Sequence, residues 1–261
     1  MNRNPVSATA RKALRDTFGL WPMHEARNHL ALGRQVPALR RFEDAEVARL
    51  GPTPGTALVA TVIPTYRRPE LLVDAVESAL AQTVVDQTVI VVDDGAGLPA
   101  LPDDPRLRAV SLSRNTAVLG LVRNVGVRLT RSRFLAFLDD DNTWRSDHLE
   151  LALAGLSRGA DVVYTAVERR RADGSVLDVL TEEFDRRTFR DGTPYVDANS
   201  LVVRRSDDVV FSLLPRTKST LPKEDWEFVH RLAKRHVVEH VPEPTVRYLV
   251  NEDSYYTAWT G

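Results

Sequence analysis

From residue 57 onward the chain alternates short β-branched runs with helical stretches, and nothing else in it narrows the fold so far. "ALVATVIPTY" (57–66) reads as a strand stopped by Pro64. "RPELLVDAVESALAQT" (68–83) has Pro69 near a helix start and Leu72, Val76, Ala79 and Leu80 on one face. "TVIVVDDG" (88–95), "LRAVSLS" (107–113), "RFLAFLDDD" (133–141) and "ADVVYTAV" (160–167) supply further strands, and "GLVRNVGVRLTRS" (120–132) a further helix. Strands alternating with helices build βαβ units and a largely parallel sheet, an α/β architecture whose ligands bind beyond the carboxyl ends of the strands.

Two of these strands end in acids: Asp93 and Asp94, then Asp139, Asp140 and Asp141. Adjacent carboxylates repel one another unless a cation or a donor-rich ligand answers them. Both clusters are expected in one crevice, together with Thr65 and Tyr66 from the end of the first strand. Two acid clusters and an aromatic ring at one sheet edge suggest a nucleotide, with the ring against the base and acids for base, ribose and a phosphate-bound metal. The blander readings are a solvated acidic loop and, for Asp93-Asp94-Gly95, an ordinary turn. The chain has no cysteine, so thiolate ligands and a catalytic thiol are excluded. A metal held by carboxylates alone favours Mg²⁺ or Mn²⁺.

Residues 1–56 form a helical N-terminal extension, with Leu30, Val36, Leu39, Phe42, Val47 and Leu50 interleaved among charges. "GPTPGT" (51–56) breaks it and marks a boundary before the domain spanning 57–261. The extension is expected to pack on that domain or to carry a homodimer contact. A hydrophobic content of 43% suffices for a sizeable core, and a net charge of −1 argues against a nucleic acid partner. No stretch reaches the roughly 18 apolar residues of a transmembrane segment. No apolar run opens the chain as a signal peptide would, so a cytoplasmic location is expected.

Five ordered pieces, "VIPTYRRPELLVDAVESALAQT", "VIVVDDG", "GLVRNVG", "FLAFLDDDNTWRSDHLE" and "KEDWEFVHRLA", resemble the family 2 glycosyltransferases of GT-A fold over roughly residues 57–255. The resemblance implies a nucleoside-diphosphate sugar donor, with UDP the first choice, a divalent cation (Mg²⁺ or Mn²⁺), and a displacement that inverts the anomeric carbon. Residues 57–150 would be the donor half and 151–255 the acceptor half. Tyr66 would stack on the base beside Pro64 and Thr65. Asp94 would accept from the base with Asp93 next to it, and Asp140 would meet the ribose. Asp139-x-Asp141 occupies the D-x-D position, Asp141 facing the metal, and Arg123 would brace the nucleotide side. Asp225 matches the general base, with Glu224 in reserve. An acid just after Pro222 also suits a helix N-terminus.

Three departures stand out. Arg67 follows the tyrosine where the family often has Asn, and Asn251 lies where a metal-assisting histidine is frequent. The Q-x-x-R-W signature and membrane helices of the polymerases are missing, so the expected reaction is transfer of one sugar to a small or non-polymeric hydroxyl acceptor. Trp144 and Trp226, close after the acidic motifs, read as packing supports. Two other functions stay open on sequence alone. A sugar nucleotidyltransferase would normally show an early glycine-rich loop, and a degenerate glycosyltransferase-fold binding protein would show a broken metal motif or a lost base.

Overall fold

The computed structural model describes residues 5–192, 195–217 and 219–250. Three helices open the chain: α1 (Pro5–Phe18), α2 (Leu20–Leu32) and α3 (Val36–Leu50). A mixed sheet then forms from β1 (Ala57–Thr65), β2 (Gln87–Asp93), β3 (Leu107–Ser111), β4 (Ser132–Phe137), β5 (Asn142–Trp144), β6 (Val162–Arg170), β7 (Val176–Leu180), β8 (Leu201–Arg204) and β9 (Val238–Leu249). Between the strands lie α4 (Pro69–Leu80), α5 (Leu119–Leu129), α6 (His148–Ser157), α7 (Arg186–Asp191) and α8 (Glu224–Leu232).

The spatial order is β3-β2-β1-β4-β8-β6-β9-β5, with β7 hanging on β6. β3, β2, β1 and β4 pair in parallel, as the βαβ pattern requires. From β8 onward the pairing is mainly antiparallel, the β6–β9 pair being parallel. The parallel half therefore matches the first half of the chain, and the mixed half the second. β9 pairs along β6 with register shifts around Thr165 and Ala166, where its Pro242 and Pro244 interrupt the ladder.

Each face of the sheet buries its own apolar layer. Val62, Ile90, Val92, Leu135 and Phe137 point to the α5 and α8 side. Val59, Ile63, Val89, Val91 and Ala136 point to the α4 and α6 side. That inward alternation along β1 and β2 is the period-two signature of strands covered on both faces. α5 sits unusually close, because a Cβ added at Gly126 would lie 2.5 Å from Val62 Cγ1.

The N-terminal extension packs on this domain. Leu39 joins the α5-side core with Phe42 and Val47 against it, while Leu30, read as part of the same apolar face, is 85% exposed. The joint is also polar. Glu43 is fully buried and is met by Arg40, Arg128 and Asn124 at 3.1, 2.8 and 3.4 Å. Glu25 takes a forked contact from Arg216 at 2.6 and 2.8 Å.

Candidate active site

The parallel strands deliver their acids to one edge, and each tip is held differently. At the end of β2, Asp93 is fully buried, accepting from Ala96 N, Gly97 N and Ser111 Oγ at 2.9, 2.8 and 2.7 Å. Its carboxylate holds the turn after β2 and ties it to the end of β3. Asp94 next to it accepts from Thr116 N and Oγ1 and from Ala117 N at 2.9, 2.8 and 2.9 Å. This grip fixes Ala117 at φ 52°, a left-handed conformation that costs a non-glycine residue about 1–2 kcal/mol. Burial raises the Asp94 pKa, opposed by those three bonds. Gly95, at φ 76°, lets the turn pass within 2.4 Å of the Arg114 backbone as measured from an added Cβ.

At the β4 tip the partners are side chains. Asp140 is buried and accepts from Thr65 Oγ1 at 2.7 Å and Tyr66 N at 3.3 Å, so it ties the end of β1 in place. One guanidinium nitrogen of Arg68 lies 3.1 Å from Asp140 Oδ1 and 2.5 Å from Asp141 Oδ2. Asn142 donates to the other Asp141 oxygen at 3.0 Å. Burial, then the charges of Asp139 and Asp140, push the Asp141 pKa up to about 6 against the pull of Arg68. Tyr66 itself is 38% exposed, with the Arg67 guanidinium 5.1 Å from its ring centroid. Pro64 is buried within β1 and pairs opposite Val92.

Asp139 is clamped from the second half of the chain. Its amide donates to Asn199 Oδ1 at 2.5 Å, and Asn199 Nδ2 returns a bond to its carboxylate at 3.1 Å. Buried Trp144 in turn holds Asn199, its indole donating to the Asn199 carbonyl at 2.8 Å. The guanidinium of Arg123, 1% exposed on α5, donates to Asp139 at 2.5 Å and to Glu224 at 3.3 Å. Burial alone would loosen its proton, yet the carboxylates of Asp139, Glu224 and Asp225 hold its pKa above the usual value.

α8 begins at Glu224, so its first turn carries Glu224, Asp225 and Glu227, where the helix dipole favours negative charge. Asp225 is half-buried, and its pKa is pushed up to about 8 by burial and then by the charges of Glu224 and Asp197, with Arg123 opposing. Trp226 is buried, its indole donating to the Phe189 carbonyl at 2.7 Å. Both tryptophans are therefore packing supports. Asn251 lies outside the described residues.

The sequence reading missed Arg68 and Asn199. Each acts across a long separation (Asp140 to Arg68, Asp139 to Asn199), and nothing local in "YRRPE" or "DANS" announces it. Whether this edge suits a divalent cation is decided by its donors. No group of three or more His, Cys, Asp or Glu side chains is arranged to hold a metal among the described residues. Mg²⁺, however, is usually held by one or two carboxylates, with substrate phosphates completing the shell. Asp141 and Asp139 are the carboxylates of the D-x-D position that would face such an ion, and burial, followed by the charges of Asp139 and Asp140, raises the proton affinity of Asp141.

A strand edge bearing these acids on an α/β sheet is the layout of a GT-A transferase, and the comparisons agree. The profile of Glycosyl transferase family 2 matches residues 61–205, more than half the chain, so the protein belongs to that family and is a glycosyltransferase by class. The chain is 35% identical over 130 residues to the succinoglycan biosynthesis protein ExoO of Rhizobium meliloti, covering 48% of this chain and 37% of that protein. It is 32% identical over 156 residues to the Escherichia coli chondroitin synthase, covering 56% of this chain and 22% of the synthase. The chain thus spans well under half the length of both relatives. The crystal structure of S. aureus TarS 1–349 with UDP-GlcNAc shares the fold, with a TM-score of 0.58 at 17% identity over 77% of this chain and 60% of that one. α8 and Asp225 fall beyond the matched residues. Among the described residues, no helix is long and apolar enough to cross a membrane.

Proposed function

We propose that the protein moves one sugar from a nucleoside-diphosphate donor to a hydroxyl group with inversion, using Asp225 as general base. One observation carries this reading. A single buried guanidinium, Arg123, joins the D-x-D acid Asp139 to Glu224, the neighbour of Asp225. Acids 85 residues and more apart in the chain thereby meet across one ion, one group on the donor side and one on the acceptor side.

The acceptor hydroxyl loses its proton to the Asp225 carboxylate as its oxygen attacks the anomeric carbon. The bond from that carbon to the diphosphate oxygen breaks, and the nucleoside diphosphate leaves with the electron pair. A carboxylate so placed contributes about 10²–10⁴-fold. Its raised proton affinity suits the task, since a base near neutral pKa both accepts a proton and is available to do so. A divalent cation bound by Asp141 and Asp139 would supply neutralisation of the charge growing on the departing diphosphate. Tyr66, exposed at the cleft rim, offers a face for the base, and Asp140 holds the strand end that carries it. Asp94 acts through the 114–118 loop it fixes, and Asp93 through the turn.

TarS was crystallised with UDP-GlcNAc and with UDP, which favours a uridine donor here. Relatives bearing succinoglycan, chondroitin and teichuronic acid names favour a glycan hydroxyl as acceptor over the small molecule suggested by the missing Q-x-x-R-W. The test is Asp225→Asn. Turnover should fall by about 10²–10⁴-fold while calorimetric binding of UDP with Mn²⁺ stays near wild type. Near-normal turnover would remove Asp225 from the role.

A further inference from the structure

One cavity lies apart from the acidic cleft. It has a volume of about 810 Å³ and opens between the N-terminal helices and the pair α7 and α8. Its two walls differ in kind. α1 and α2 contribute Phe18, Pro22, Met23 and Ala26, and Phe18 is 57% exposed at the mouth. The facing wall carries Arg186, Arg187, Arg190 and Lys234, four permanent cations, with Asp185 as the single acid in the lining.

The walls are fixed to one another. Leu20 N donates to Asp191 Oδ1 at 3.0 Å, and the Trp21 indole donates to the Gly192 carbonyl at 2.5 Å. Gly19 packs so closely that a Cβ there would lie 2.6 Å from Arg190 Cγ. The charges are only partly answered from within. Arg190 pairs with Asp191 at 2.7 Å and Arg186 donates to the Ala233 carbonyl, whereas Arg187 and Lys234 are exposed. Asp185 already caps α7 by accepting from Thr188 N at 2.6 Å. In a chain of net charge −1, four cations against one acid in one concavity is a local concentration.

We infer that this cavity binds an amphiphilic anion, a phosphate-headed molecule with a hydrocarbon body. Guanidinium groups are planar forks that match phosphate oxygens, Arg187 and Lys234 are exposed cations of this wall, and the opposite wall offers apolar surface to the body. The volume lies within the range of small-molecule sites, about 300–1,000 Å³. Half-buried His230 in the lining has its pKa lowered to about 4, first by burial and then by Lys234, Arg190 and Arg186. The site is separate from the acidic cleft. Lys234 lies nine residues beyond Asp225 along and just past α8, about 13 Å at 1.5 Å per residue. The inference therefore stands apart from the reading of that cleft.

The experiment uses dodecyl phosphate below its micelle concentration, followed by calorimetry and by tryptophan emission. Trp226 is a local reporter, its ring stacked 4.7 Å from that of His230. Saturable one-to-one binding is expected. The double variant Arg187→Glu/Lys234→Glu should weaken it at least tenfold, with the melting temperature and UDP binding unchanged. Phe18→Ser should weaken dodecyl phosphate but leave binding of inorganic phosphate as it was. Dodecyl maltoside binding as tightly as the phosphate, or the double variant binding like wild type, overturns the inference, as does no binding at all. Phosphatidic acid in phosphatidylcholine vesicles separates the sources. Co-sedimentation lost in the double variant assigns the site to a bilayer headgroup, and binding of the free amphiphile without co-sedimentation assigns it to a soluble lipid phosphate.

Discussion

The tips of β2 and β4 read alike in sequence, an apolar strand running into adjacent aspartates, yet the protein treats them in opposite ways. At β2 the carboxylates of Asp93 and Asp94 accept mostly from backbone amides, which are fixed by the chain path. At β4 each of Asp139, Asp140 and Asp141 has a guanidinium partner, Arg123 or Arg68, and the Arg68 side chain is 41% exposed. Acids matched to amides hold loops. Of the two cations at β4, Arg123 is buried and Arg68 is the one open to exchange with an incoming ligand.

That contrast can be broken at its strongest point by Arg123→Met. Removing one partner of a buried ion pair costs about 3–5 kcal/mol because the other charge is stranded. Two carboxylates would be stranded here, so urea unfolding should show a loss of that order and turnover should vanish. A variant as stable as wild type would mean that Arg123 does not carry the link.

The acidic start of α8 extends the comparison to a third tip. Burial and the charges of Glu224 and Asp197 push the Asp225 pKa up to about 8, so the deprotonated fraction that serves as base grows with pH. Turnover should rise about tenfold per pH unit below that value and level off above it. The same shift has a stability sign. The folded state holds this proton more tightly than the unfolded state, so the contribution is present in acid and is lost as pH rises through about 8. A flat pH–rate profile between pH 6 and 8 contradicts the assignment.

Asp94→Ala and Asp141→Asn test the two tips directly. Loss of the Asp94 acceptor orphans the Thr116 and Ala117 amides and should cost about 2 kcal/mol in thermal or urea unfolding. Asp141→Asn removes one of three mutually repelling charges, so stability should hold or rise while Mn²⁺-dependent UDP binding is lost. Equal destabilisation by both variants would erase the distinction. The smallest effect is expected beside the cleft. Arg67 sits at φ 57°, a conformation asparagine adopts far more readily, so Arg67→Asn should stabilise by up to about 1 kcal/mol. A drop in melting temperature would show that its contact with Tyr66 outweighs the strain.

Much of the parallel half was legible because its strands are continuous β-branched runs and its helices carry a clear apolar face, as in Val59–Ile63 and Leu72–Ala79. The mixed half was less so. β9 holds Pro242 and Pro244, residues that argue against a strand, and the register shifts opposite β6 accommodate them. The buried acids Glu25 and Glu43 were unreadable for a different reason. Their partners Arg216 and Arg128 lie 191 and 85 residues away, and a helical pattern cannot announce a distant cation. At the site, Asp139, Asp140, Asp141 and Asp225 were visible from motif order. The wiring through Arg123, Arg68 and Asn199 depends on side-chain geometry that spacing does not encode.

The last described strand has a consequence for how the protein is made. Among the described residues β5, immediately after the acid trio, pairs within the sheet with β9 alone, and Leu249 N donates to Asn142 Oδ1 at 3.0 Å. A ribosome that has released β1 to β4 has delivered the strands of the parallel half, but the peptide that seats Asp141 still lacks its neighbour. Seating of the peptide after Asp141 thus waits for β9, and a nascent chain stalled before residue 238 would carry the parallel strands with β5 still unpaired.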